Sequence, residues 1–131
     1  MSKMRNRSGS SLSRSLSRRT GLRLITLSTA LKNLTSLSEE IRHADFFKEK
    51  NFTGGIIAFR PSKKNNPGQI NHSDRDVVCQ VLKGSGRLRV NKRRTALRPG
   101  MICHIPKGTP HDFAAGIRGE LVLFYLLIKT S

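Results

Sequence analysis

The sequence predicts an all-β domain, a sandwich or barrel of short strands, preceded by a basic tail and one amphipathic helix. Three observations predict it. After Asn51 the apolar residues recur with a period of two, the mark of half-buried strands. Turn residues punctuate that stretch at short intervals: Gly54-Gly55, Lys63 to Gly68, Gly84-Ser85-Gly86, Asn91 to Arg94, and Pro106 with Gly108. Every acidic residue lies at Glu39 or beyond, which sets a cationic tail apart from the rest.

The 131 residues are a one-domain length. They divide by composition into a basic tail over 1–22, expected to be disordered, a helical linker over 23–52 and a barrel over 53–131. A core of ~80 residues is marginal in stability, so burying more surface in a dimer would help. The net charge is +17. Lys3, Arg5, Arg7, Arg14, Arg18, Arg19, Arg23 and Lys32 all precede the first acid. Such a run seeks polyanions: DNA, RNA, anionic lipid or a targeting receptor. Met1 to Thr20 is Ser- and Arg-rich with scattered Leu, too polar to order itself. Its serines beside arginines are candidate phosphorylation sites.

Leu24, Leu27, Leu31, Leu34 and Ile41 recur at helical spacings, which predicts an amphipathic helix from Leu24 to Ile41. Thr26, Thr29, Asn33 and Thr35 weaken it. Ser38-Glu39-Glu40 could instead cap a second short helix reaching about Phe47.

Strands are expected at Ile56–Phe59, Val77–Leu82, Arg87–Val90, Met101–Ile105 and Leu121–Ile128. In the second of these, Val77, Cys79 and Val81 should point inward, with Val78 and Leu82 outward. Leu88 and Val90 should point inward from the third. The last strand is apolar on both faces, so its outer side needs a cover, either the helix or a second barrel. The expected dimer surface is Val78, Leu82, Leu123, Tyr125 and Leu127.

Cys79 and Cys103 sit in apolar, strand-like runs, which favours free thiols and a reducing compartment. No apolar run approaches the ~20 residues that span a membrane, and no continuous apolar stretch follows the basic start as in a secretory signal. A membrane partner is therefore not expected. Arg87, Arg89 and Arg93 are expected on one outward face, with Lys92, Arg94 and Arg98 near by. With Arg5, Arg7, Arg14, Arg18, Arg19 and Arg23 they form the candidate nucleic-acid contacts. His43 and His104 are lone histidines. The sequence carries no Ser-His-Asp arrangement, phosphate loop or paired-cysteine motif.

Gly100, five residues, Pro106, one residue, Gly108, two residues, His111 is a spacing with a mechanism. Gly100 turns into a strand, Pro106 ends it where no ladder donor is needed, and Gly108 folds the chain back to deliver His111 to a barrel mouth. This string, with Leu97-Arg98-Pro99 before and Asp112-Phe113 after it, resembles the second motif of the cupin superfamily. Met101 replaces the usual Asp of that motif and Ala115 the usual closing Asn. The first motif is degenerate. Counting back from Gly84, its glutamate position is Val77, its second histidine is His72 and its first is Ile70. The resemblance implies a jelly-roll barrel in which only His72 and His111 remain of four metal ligands, with Asp74 and Asp76 near enough to substitute.

A cupin without its ligand set implies a non-enzyme with no cofactor. Gly55-Ile56-Ile57, Arg60-Pro61, Lys63-Lys64 and Ser73 to Val78 are similar to the C-terminal cupin domain of the centromere protein C family. That likeness implies a homodimer binding DNA or chromatin in the nucleus, at the centromere and kinetochore. Two other readings stay open. One is a metal-dependent dioxygenase or isomerase using Fe, Mn or Zn, delivered to mitochondria by the Arg- and Ser-rich start. The other is a ligand-binding sensor domain.

Overall fold

The computed structural model describes residues 21–61 and 74–130. The chain divides into two compact units, Met1–Leu34 and Thr35–Ser131. In the first, the described structure is one short helix, α1 (Leu27–Lys32). The Thr26 hydroxyl caps its start by accepting from the Thr29 amide. At its end the Asn33 side-chain amide donates to the Thr29 carbonyl, 2.8 Å away. The helix is therefore one and a half turns long and does not run from Leu24 to Ile41. Thr26 and Asn33, which compete for backbone groups, cap it at both ends.

The second unit begins well before residue 53. It holds β1 (Thr35–Ser36), β2 (Ile41–Lys48), β3 (Phe52–Phe59), β4 (Arg75–Lys83), β5 (Gly86–Val90), β6 (Arg93–Leu97), β7 (Ile102–Ile105), β8 (His111–Ala115) and β9 (Leu121–Lys129). Six of them form one sheet in the order β1-β2-β3-β9-β4-β7, and three form another in the order β6-β5-β8. All the pairings are antiparallel. The linker expected to be helical through Phe47 is thus a hairpin of β1 with β2, and a strand. Ser38 does cap, but it caps a turn: its hydroxyl accepts from the Glu40 amide, while the Leu37 and Ser38 amides donate to the Ile41 carbonyl.

The core lies between the two sheets. Phe59, Val77, Cys79, Val81, Leu121, Leu123 and Tyr125 of the large sheet meet Leu88 and Leu97 of the small one. The inward set expected of β4 is correct: Val77, Cys79 and Val81 are buried, and Val78 and Leu82 only half-buried. Leu82 is the extra residue of a bulge, since Val81 opposes Leu123 while Lys83 opposes Val122.

For β9 the expected facing is reversed. Val77 opposes Leu127, Cys79 opposes Tyr125 and Val81 opposes Leu123. Directly opposed residues share a face, so Leu123, Tyr125 and Leu127 point inward with β4's buried set and cannot form an outer surface. The outward residues of β9 are Phe124, Leu126 and Ile128.

Candidate functional site

The inward residues do not fill the barrel. A cavity of about 240 Å³ remains, lined by His43, Asp45, Ile57, Phe59, Val77, Cys79, His111, Phe113, Leu123, Tyr125 and Leu127. Five strands contribute. The walls are aliphatic and aromatic; Phe59 and Phe113 stack with centroids 5.6 Å apart, and His111 stands edge-on to Phe113 at 6.0 Å. Asp45 is exposed, so the cavity reaches the surface beside it.

Polar groups converge at one side. The Tyr125 hydroxyl donates to the Asp45 carboxylate, with the Ala44 carbonyl 3.4 Å away. Gly55 makes that contact possible. A Cβ there would stand 2.5 Å from the Tyr125 oxygen and 2.2 Å from the Ala44 carbonyl oxygen, so only glycine fits. Burial, reinforced by Asp45, pushes the Tyr125 hydroxyl well above its ordinary pKa of 10.0. It is a proton donor across the physiological range. His43 comes from the same strand two residues earlier, and its Nδ1 is buried without a hydrogen-bond partner. An unmatched buried polar nitrogen of this kind lowers stability.

His111 reaches the cavity as its motif predicts. Gly108 turns the chain at φ +78°, and the Thr109 amide donates to the Pro106 carbonyl. The ring is buried, and its Nδ1 lies 2.9 Å from the Thr109 carbonyl. A carbonyl can only accept, so Nδ1 donates to it, and this bond fixes the orientation of the ring.

The other metal candidates do not join it. Asp76 faces out of the barrel, where it accepts from His104 Nε2 at 3.0 Å and from the Lys107 amide at 3.0 Å. His104 and then Lys107 hold its carboxyl below the usual carboxylate range. Asp74 is exposed, 4.0 Å from the Arg75 guanidinium. Val77, at the cupin glutamate position, presents a buried isopropyl group to the lumen. His72 lies outside the described residues. Among the described residues, no three His, Cys, Asp or Glu side chains are grouped as a metal site. The described lumen therefore does not fit the cupin metal.

The expected basic face is partly dismantled. Arg5, Arg7, Arg14, Arg18 and Arg19 lie outside the described residues, and Arg23 is half-buried in the first unit. Arg87 is exposed. Arg89 is committed to Asp112, whose Oδ2 accepts from its Nε at 3.0 Å and its Nη2 at 2.6 Å. Arg93 opposes Val90, so it sits on the other side of the ribbon from Arg87 and Arg89; Arg94, opposite Arg89, shares theirs.

The sequence does not bring His43, Asp45 and Tyr125 together: His43 reads as a lone histidine and Tyr125 as part of an outer dimer surface. The available signal was the alternation Ile41, His43, Asp45, which the bulge between Asp45 and Phe47 interrupts.

A jelly-roll barrel with an apolar lumen and a histidine delivered by a Pro-x-Gly turn is a cupin barrel. The family described as the AraC-like ligand binding domain matches residues 70–131, just under half of the chain. No curated protein matches the sequence. Among solved structures, the cupin domain of Schizosaccharomyces pombe Cnp3 is similar over 82% of this chain and 74% of its own, with a TM-score of 0.70 and 18% identity. The Clostridium difficile EutQ protein is similar over 85% of this chain and 90% of its own (TM-score 0.66, 15% identity). The polyketide cyclase RemF of Streptomyces resistomycificus is similar over 69% of this chain and 66% of its own (TM-score 0.60, 21% identity). The fold is that of the cupin superfamily. Structures as different as an enzyme and Cnp3 share it, so activity must be argued from the site.

Proposed function

We propose that the barrel binds a small, mostly apolar molecule carrying one or two hydrogen-bonding groups, without a metal. The cavity is the observation that carries this reading. An engineered apolar cavity of ~150 Å³ holds one benzene, so 240 Å³ suits a single ring with a short substituent. The Tyr125 hydroxyl and Asp45 carboxylate would fix its polar end. The AraC-like ligand binding family's match to residues 70–131 supports the same reading.

The test is calorimetry and thermal unfolding of the purified chain with phenol, indole, 4-hydroxybenzaldehyde and benzene. Saturable stabilisation by a polar-substituted ring, stronger than by benzene, is expected. A ligand at a hundred times its dissociation constant raises stability by about 2.7 kcal/mol. Leu123→Trp fills the lumen and should abolish the effect. No stabilisation by any probe at millimolar concentration would remove the reading.

A second reading rests on charge. Eight cations precede the first acid, and the chain shares its fold with the Cnp3 cupin domain. We propose that the chain is also a non-enzymatic homodimer that binds DNA or chromatin through its basic N-terminal segment, in the nucleus and in the manner of a centromere protein. Its dimer face would be the outward residues of β4 and β9, with Val78 opposing Leu126. The enzyme alternative, a metal-dependent dioxygenase or isomerase in mitochondria, would need ligands from residues other than Val77 and Asp76.

A further inference from the structure

The only two cysteines of the chain face each other. Cys79 on β4 and Cys103 on β7 are directly opposed in the antiparallel register. Both are free. Cys79 is buried and lines the cavity, and Cys103 is half-buried against the core beside it. Directly opposed residues of an antiparallel ladder have Cα atoms ~4.5–5.5 Å apart, whichever of the two pair types they form. Disulfides span that Cα separation.

We propose that Cys79 and Cys103 form a reversible dithiol–disulfide site, oxidised by small hydroperoxides. The Cys103 sulfur attacks the nearer peroxide oxygen as a thiolate. The O–O bond breaks, Cys103 becomes a sulfenic acid, and the leaving oxygen takes up a proton to depart as water or an alcohol. The Cys79 sulfur then attacks Cys103, its proton joins the departing hydroxide as water, and the S–S bond forms. Two thiols lose two electrons, and one peroxide is reduced.

The division of labour follows from the surroundings. A hydrogen bond from the Cys79 thiol stabilises Cys103 as the thiolate and brings it down to about 7, while that same bond and burial push Cys79 up. The more accessible sulfur is thus the nucleophile, and the buried one stays protonated until it resolves the sulfenic acid.

The test uses the full-length protein and hydrogen peroxide. After treatment with one equivalent, non-reducing mass spectrometry should show a monomer lighter by two hydrogens. Neither cysteine should then react with iodoacetamide, and dithiothreitol should restore both. Cys79→Ser should stop at a Cys103 sulfenic acid that dimedone traps. Cys103→Ser should leave Cys79 unreactive at the same peroxide dose. Wild-type protein that keeps two alkylatable thiols, gains oxygen at Cys103 without a crosslink, or links between chains would overturn the proposal. The wild-type measurement needs no variant to fold.

Discussion

Tyr125, on the last strand, donates its hydroxyl proton to Asp45, 80 residues earlier in the chain. The bond joins β9 to β2 at the cavity mouth, over the glycine that makes room for it. Tyr125 is the chain's single tyrosine, and there is no tryptophan, so tyrosinate absorbance reports this hydroxyl alone. Burial and Asp45 raise its pKa above the ordinary 10.0. Below pH 10 both folded and unfolded chains hold the proton, and the full stabilisation is present. As pH rises further, the unfolded chain ionises first and the folded one does not, so stability falls. Native protein should show no tyrosinate until it unfolds, whereas protein in denaturant should titrate near pH 10. Tyr125→Phe should cost roughly 1–2 kcal/mol at neutral pH and flatten the alkaline decline. A native titration near pH 10 would contradict the buried bond.

Arg89 bears on stability more than on nucleic acid. Asp112 is 8% exposed, and Arg89→Ala would leave its carboxylate without the guanidinium. Breaking a buried pair costs roughly 3–5 kcal/mol, and the lower end applies here because the Arg89 side chain is 21% exposed. Arg87→Ala, on the same strand and exposed, should change stability by less than about 0.5 kcal/mol. Urea midpoints with unchanged slopes would separate the two. Equal effects would mean that the ion pair does not hold β5 to β8.

These two sites mark what the sequence could and could not tell. β4, β5, β7 and β9 were legible because glycines and prolines bound them, and in β4 and β5 the apolar residues alternate. The Gly100 to His111 spacing announced the histidine that reaches the lumen. β2 was hidden because its bulge between Asp45 and Phe47 breaks the alternation, and Leu24 to Ile41 happens to carry helical spacing. With β2 misread, His43 and Asp45 had no place in a site. β9 is apolar on both faces, so its own pattern could not orient it; only the register of Leu123, Tyr125 and Leu127 against β4 does. Arg89 reads as an outward nucleic-acid contact because its partner Asp112 lies three strands later in the chain.

Val77 stands where a metal-binding cupin would carry glutamate, and Asp76 is turned outward to His104. Protein purified without chelators should therefore contain well under one equivalent of iron, manganese or zinc by elemental analysis. One tightly held ion per chain would show that His72 and residues beside it complete a site around His111.

The proposed homodimer would be held by the outward residues of β4 and β9. Val78 and Leu126 oppose each other on the outer side of the large sheet, so Val78→Lys with Leu126→Lys should give a folded monomer in sedimentation. Leu123→Lys, directed at the core, should unfold the chain instead. Wild-type protein that sediments as a monomer at micromolar concentration would rule the dimer out.

The basic segment makes the last prediction. If Arg5, Arg7, Arg14, Arg18 and Arg19 each neutralise one phosphate, the full chain should bind duplex DNA with little sequence preference. The logarithm of its affinity should then fall against the logarithm of salt with a slope of roughly −4.5, at −0.9 per contact. Replacing Arg14, Arg18 and Arg19 with Ala should make that slope shallower by about 2.7. Arg87 and Arg94, which share an outward face of the small sheet, should leave a smaller residual slope. Two segments on one dimer can engage one duplex, so the Val78→Lys, Leu126→Lys pair should weaken binding without changing any phosphate contact. Binding in a tube does not by itself give the segment its role, because an Arg- and Ser-rich start free of acids also suits mitochondrial import. A C-terminally tagged copy decides between them. Nuclear protein of full length supports the DNA reading, whereas mitochondrial protein shortened at its N-terminus would show that the basic residues act as an import signal and are absent from the mature barrel.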